Sequence, residues 1–291
     1  MPTPPFSPSF PLLVLAGSYL LLFAAGFVLP LRESTRPLGG RLLTNGLMTG
    51  LTFATGGLLV RGTALRVSAW SGAASFGLLH WTALPPVVEF AGGFLLMDLS
   101  FYWWHRLNHV VPVLWRFHNA HHVDPDLDVS TGFRFHPVEV AYSAPFRVVQ
   151  VAVIGVSPLL YVVYEIAFQV ATLFHHSNLR LPIRLERVLN HFIVTPRMHG
   201  IHHSVVAEET NSNYSVILRW WDALHRSLRL GVPQSSIEIG VPGYRKAGDN
   251  GPWSLLAMPF RRQRPYWQRP DGSTPTRREE ETLPEPSRLA E

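Results

Sequence analysis

His105-Arg-Leu-Asn-His109, then eight residues, then His118-Asn-Ala-His121-His122 is the stretch on which the reading of this chain turns. A matching cluster, His199-Gly-Ile-His202-His203, stands far downstream. His105 and His109 are four apart, so on a helix they share a face. The triplets His118, His121, His122 and His199, His202, His203 each follow an i, i+3, i+4 spacing, which again gives one face. Eight imidazoles on three helical faces exceed what a single metal ion needs. Two neighbouring ions with open positions account for them better, and imidazole suits iron, zinc and copper. A single histidine near a membrane is ordinarily interfacial or a hydrogen-bonding core residue. Three clusters reverse that reading, because each imidazole buried without a partner would cost roughly 1–3 kcal/mol.

The composition around this stretch is that of a membrane protein. Of 291 residues, 47% are hydrophobic and 15% charged, against about 25% charged in soluble chains. The net charge of +5 is carried almost wholly by Arg. Beside so many apolar segments, these Arg read as facing lipid phosphates. No basic run interleaved with aromatics suggests nucleic acid. The absence of cysteine excludes disulfides, thiolate-held zinc and iron–sulfur clusters, so a metal here must use nitrogen or oxygen donors.

Working outward, Pro11–Pro30 runs without a charge and is long enough to span a bilayer. With no basic residues ahead of it, it reads as a retained helix, not a signal peptide. Leu42–Val60 is the expected second span, and Ser68–Trp81 a short interfacial or re-entrant helix. Pro86–Trp104 is the third span, ending in the aromatic belt Tyr102-Trp103-Trp104. Val123–Phe135 is loop-like. Val138–Phe174 reads as a helical hairpin turning at Gly155, Ser157 and Pro158, which returns His175 and His176 to the face where His105 lies. The tail from about Arg261 is expected to be disordered. The fold expected is therefore all-α: an integral membrane bundle of about four spans with a cytosolic helical cap around a histidine-rich dimetal site. The divisions expected are 1–90 (N-terminal membrane region), 91–228 (catalytic) and 229–291.

Asp98 stands two turns before His105. A carboxylate inside a span suggests function, and its expected job is to accept the second N–H of a ligand histidine; the plainer alternative is an ion pair with Arg106. Glu165, mid-hairpin, either lines a substrate channel or pairs with another helix. Iron is the preferred metal, because a membrane enzyme without a polar pocket signature needs a reagent able to attack unactivated C–H bonds. A dizinc hydrolase and a metal transporter are the alternatives. Clustering of the histidines just past span ends argues against transport.

The run Asp98-Leu-Ser-Phe-Tyr102-Trp-Trp-His105-Arg-Leu-Asn-His109, followed by Trp115-Arg-Phe-His118-Asn-Ala-His121-His122, resembles the fatty acid hydroxylase / sterol desaturase superfamily. Arg134-Phe-His136-Pro137-Val-Glu139, Phe174-His175-His176-Ser177-Asn178 and Thr195-Pro-Arg-Met-His199-Gly-Ile-His202-His203-Ser204 are similar to its further boxes, and Asn213-Tyr214 with Trp220-Trp221-Asp222 to the segment that follows. The resemblance covers about Ala91 to Leu228. It implies a di-iron centre held by His105, His109, His118, His121, His122, His176, His199, His202 and His203, with supporting roles for Asp98, His136 and Glu139. It implies dioxygen as cosubstrate, lipid substrates, and an external electron donor of the ferredoxin or cytochrome b5 type. Hydroxylation and desaturation are both within it. The run Asp222-Ala-Leu-His225-Arg departs from the family's usual Arg-Leu-Phe-Gly-Thr after Trp-Asp. His80, His191 and His225 are expected to be packing or surface residues, and His175 a neighbour of a ligand. The abundance of Arg over Lys points to a bacterial plasma membrane, with the site facing the cytoplasm.

Overall fold

In the computed structural model, which describes residues 7, 9–81 and 83–277, the chain is helical throughout, with only isolated bridges between extended segments. Helix α1 (Ser9–Val28) is followed by α2 (Leu38–Thr55), a π-helical segment Gly56–Arg61, and α3 (Gly62–Ala74). Then come α4 (Pro86–Val110), α5 (Pro112–His122), and the hairpin α6 (Pro137–Ile154) and α7 (Pro158–His176). Five short helices complete the order: α8 (Ile183–Leu189), α9 (Pro196–His202), α10 (Ala207–Thr210), α11 (Trp220–Leu224) and α12 (Pro252–Ala257). Proline opens α4, α5, α6, α7, α9 and α12. At that position its missing N–H costs nothing and its fixed φ suits the helix.

Three helical runs are long and apolar enough to cross a bilayer: Ser9–Val28, Leu38–His80 and Pro158–His176. The protein is an integral membrane protein. α1 leaves Leu12, Leu13, Leu20 and Leu21 each about two-thirds exposed, a face that only lipid solvates well. α4 and α6 pack beside these runs, and the bundle core of Met97, Val151, Leu160 and Tyr164 lies between α4, α6 and α7.

The second span differs from expectation. Leu42–Val60 and Ser68–Trp81 are not separate: α2, the π segment and α3 form one continuous run. Arg61, the first charge after Val60, is the last residue of the π segment. The buried face beyond it is a stripe of small residues, Ala64, Ser68 and Ser71, which lets α3 approach α6 closely. The hairpin turn is as expected. Gly155 ends α6 at φ +83, and the Ser157 side chain accepts from the Leu160 N–H to start α7. A Cβ on Gly77 would fall 2.5 Å from the Gly155 Cα, so this crossing requires glycine.

At the other end of the bundle the cap is built by α5, α9, the N-terminal half of α2 and the C-terminal region. Met48, Trp115, Ala120 and Val123 pack with Val241, Tyr244, Leu255 and Met258. Arg41 of α2 reaches Asp124 (3.0 Å) and Asp128 (2.7 Å), and Arg134 reaches Asp124 (3.1 Å). Burial raises the Asp124 pKa, but the two guanidiniums outweigh it and hold the carboxyl below its ordinary range. Residues 261–277, expected to be disordered, are instead fastened to this cap. Arg264 pairs with Asp249 (2.7 Å), Arg277 pairs with the buried Glu209 (2.9 Å), and Trp267 stacks on Trp115. The segment's low apolar content concealed these few anchors. The rest of the expected disorder, residues 278–291, lies outside the described residues.

Candidate metal centre

Four elements converge where bundle meets cap. α4 brings His105 and His109 near its C-terminus, and α5 brings His118, His121 and His122. The last residue of α7 is His176, and α9 supplies His199 and His202 with His203 just after it. All nine imidazoles predicted as ligands are buried. Eight form two groups of four, each with its ligand atoms within 4.8 Å of one another: His105, His109, His122, His202, and His121, His176, His199, His203. The groups adjoin, since the His122 and His203 rings stack at 4.3 Å. His118 belongs to neither four, but its Nε2 lies 3.3 Å from His122 Nε2.

The hydrogen bonds decide which nitrogen faces inward. His105 Nδ1 meets the Tyr214 carbonyl at 2.7 Å, His202 Nδ1 the Ser212 carbonyl at 2.7 Å, and His176 Nδ1 the Thr172 carbonyl at 2.8 Å. A carbonyl only accepts, so each Nδ1 carries the proton and each Nε2 presents a lone pair. His118 Nδ1 meets Glu139 Oε1 at 2.7 Å.

The residues fit a pair of bound ions. Nε2 atoms approach Nε2 atoms at 3.1 Å in the pairs His121–His176, His176–His199 and His199–His203. Nitrogens about 2.1 Å from a shared ion, at right angles, stand about 3.0 Å apart. Both nitrogens of His109 and Nε2 of His202 are buried without a hydrogen-bond partner among the described residues. Burial, reinforced by the neighbouring imidazoles, holds His121, His122, His199 and His203 well below the ordinary histidine range. It pushes His202 down to about 3, against the Ser212 carbonyl. At neutral pH these rings are neutral and available as ligands.

Of the supporting residues, Asp98 sits elsewhere than expected. Asp98 touches no histidine. Seven residues of helix separate it from His105 by about 10 Å, and its Oδ2 accepts instead from the Leu218 N–H (3.0 Å) and the Trp221 indole N–H (2.8 Å). Nor does it pair with Arg106, which lies over the Trp103 and Tyr214 rings. His136 caps α6: its Nδ1 accepts from the Val138 N–H and its Nε2 donates to the Leu256 carbonyl, at 3.1 and 3.2 Å. Glu139 is where a supporting carboxylate should be, on His118.

The sequence reading named Asn213-Tyr214 and Asp222 but gave no role at the site to the segment Ser212–Val216. Its alternate carbonyls, from Ser212, Tyr214 and Val216, face His202, His105 and His175. The buried Asp222 carboxylate accepts from the Tyr214 N–H (2.8 Å), the Ser215 N–H (2.9 Å) and the Ser227 hydroxyl (2.7 Å). Asn213, at φ +53, ties the segment to the Met198 and Arg229 carbonyls. Asp98 bonds the chain just beyond this segment, at Leu218 and Trp221. Its partners are one backbone N–H and one indole N–H, both far away in sequence. His191 is exposed and His225 stacks on Tyr102, both as expected, while His80 lies against Gly155 at the far end.

A fatty acid hydroxylase family model matches residues 90–227, the span that carries all nine histidines. Over this span the chain is similar to the fatty acid hydroxylase/sterol desaturase superfamily. Among its relatives is the ornithine lipid hydroxylase OlsE of Rhizobium tropici, 28% identical over 62% of the chain and 52% of its own length. Human alkylglycerol monooxygenase is 29% identical over 45% of the chain and 28% of its own length. Human cholesterol 25-hydroxylase is 25% identical over 52% of the chain and 60% of its own length. The chain thus spans between about a quarter and three-fifths of these relatives. No solved structure matches it.

Proposed function

We propose that the chain is a membrane-bound di-iron oxygenase that hydroxylates or desaturates a C–H bond of a lipid, using dioxygen and electrons from an external donor. The observation that carries this reading is the pair of adjoining four-nitrogen groups at one end of an apolar bundle. The lipid hydroxylase and monooxygenase names of the relatives support it.

In this reading His105, His109, His122 and His202 hold one ion and His121, His176, His199 and His203 the other, with His118 as a ninth donor oriented by Glu139. Iron, when bound, supplies the activation of dioxygen that an unactivated C–H bond requires. The chain's own part is to keep the imidazoles neutral by burial and to fix two of them through the Ser212 and Tyr214 carbonyls. It also keeps water away with Phe135, whose ring lies 4.5 Å from that of His121. Hydroxylation inserts one oxygen atom of dioxygen into C–H and reduces the other to water, with two electrons and two protons from outside. Desaturation removes two hydrogens from adjacent carbons, and both oxygen atoms leave as water. No flavin or haem motif is present in the sequence, so the electrons come from a partner of the ferredoxin or cytochrome b5 type. Arg32 and Arg36 lie at the metal end of the bundle, bonded to the Pro196 and Arg245 carbonyls. By the positive-inside rule that end faces the cytoplasm of a bacterial plasma membrane.

The test is oxygen uptake by the purified protein, loaded with iron or with zinc, on addition of membrane lipid and a reducing system. Uptake with iron alone, and a product heavier by one oxygen or lighter by two hydrogens, is expected. His121→Ala should abolish both. Equal turnover with zinc, or full turnover by the variant, sinks the proposal.

A further inference from the structure

A cavity of about 340 Å³ opens mid-bundle between α1, the π segment, α6 and α7, within the size range of small-molecule sites. Its sides are mostly apolar, with Leu15, Phe53, Val140 and Ile166 among them. Toward the cap it ends on Phe133 and Phe135, and the Phe135 ring stacks on His121 at 4.5 Å and 16°. Toward the other side its wall turns polar. Tyr161 and Glu165, one turn apart on α7 and so on one face, both line it.

These two groups have complementary needs. Tyr161 is 1% exposed, and its hydroxyl makes no hydrogen bond among the described residues. Glu165 lies 2.9 Å from Arg147 Nη2, and its side chain remains 23% exposed. Arg147 also donates to Gln150 Oε1 at 2.6 Å and lies over the Phe101 and Tyr164 rings. The Glu165 carboxylate is paired with Arg147, and the wall also carries the Arg61 guanidinium. Tyr161 and Glu165 call for a group that accepts from a phenol and donates to a carboxylate at once, and a hydroxyl does both. An intramembrane ionisable pair beside a cavity is itself a mark of function.

We propose that this cavity seats a lipid by a hydroxyl held between Tyr161 and Glu165, its apolar body running to Phe135. The eleven residues of α7 from Glu165 to His176 then place the oxidised carbon about 16 Å from that hydroxyl. The inference rests on the oxygenase reading for the meaning of the centre, but the seat can be tested without turnover. The π segment supplies the tool. A Cβ on Gly57, which lines the cavity, meets nothing within 4 Å, so Gly57→Leu fills the space without straining the helix.

The experiment uses the full chain in detergent with two photoprobes. One is a long-chain primary alcohol with a diazirine at its far end; the other is the same chain lacking the hydroxyl. The alcohol should label the peptide containing Phe133 and Phe135 more strongly than the hydrocarbon does. Tyr161→Phe should lower alcohol labelling about fivefold, the worth of one hydrogen bond, and leave hydrocarbon labelling unchanged. Gly57→Leu should abolish labelling by both probes at unchanged metal content. Equal labelling by the two probes in the parent protein, or labelling that survives Gly57→Leu, overturns the proposal. A chain that labels as described but takes up no oxygen keeps the seat and overturns only the oxygenase reading.

Discussion

The two histidine groups are made of the same side chain and held in different ways. In the first, His105 and His202 are gripped from outside by the Tyr214 and Ser212 carbonyls, and that segment is fastened by Asp222 and Asn213. In the second, Nδ1 of His176 bonds within its own helix, to the Thr172 carbonyl. Nδ1 of His121, His199 and His203 has no hydrogen-bond partner among the described residues. The second group instead meets aromatic surface, with His121 on Phe135 at the end of the mid-bundle cavity. Outer-sphere partners set ring orientation and ligand basicity. The contrast thus separates a group with two rings held by backbone carbonyls from one that meets aromatic surface.

This contrast can be broken in stages. The largest effect should come from deleting a ligand shared by the tight group: His202→Ala should remove about one ion per chain, read by elemental analysis, and abolish lipid-dependent oxygen uptake. Retention of both ions would show that the fours are not the true sets. Next, graded chelation should strip the second group first, leaving a plateau at half the metal content; a single-step loss would erase the distinction. Asp222→Asn should then weaken the first group by about 10- to 100-fold and collapse that plateau, in chelator competition. Glu139→Gln, which keeps a hydrogen bond to His118 but not the charge, should lower turnover by about tenfold, with metal content unchanged. Smallest is Phe135→Leu, where losing a stacked ring worth about 0.5–1.5 kcal/mol should loosen the second group by less than about tenfold and leave the first untouched.

The histidines were legible because helical spacing puts each cluster on one face, and those faces turn toward one place even where neighbours such as His121 and His122 fall in different groups. The α6–α7 hairpin was legible from Gly155, Ser157 and Pro158, whose backbone roles are local. The continuous run from α2 to α3 was not, because the uncharged stretch ends at Arg61 while a π turn simply carries that residue within the helix. Asp98 was rightly singled out as a buried carboxylate, but its partners are an amide and an indole more than a hundred residues away. The carbonyls of Ser212 and Tyr214 were illegible for a deeper reason: every residue has one, and only tertiary structure selects which serve.

The cap's outer wall has a consequence for how the protein is made. Val241, Tyr244, Leu255 and Met258 close over α5, the Gly240 N–H bonds the His203 carbonyl, and the Asn119 amide reaches the Met258 sulfur. These residues leave the ribosome after every ligand has already been synthesised. The wall that covers the histidines on this side is thus drawn from chain that follows all of them in sequence.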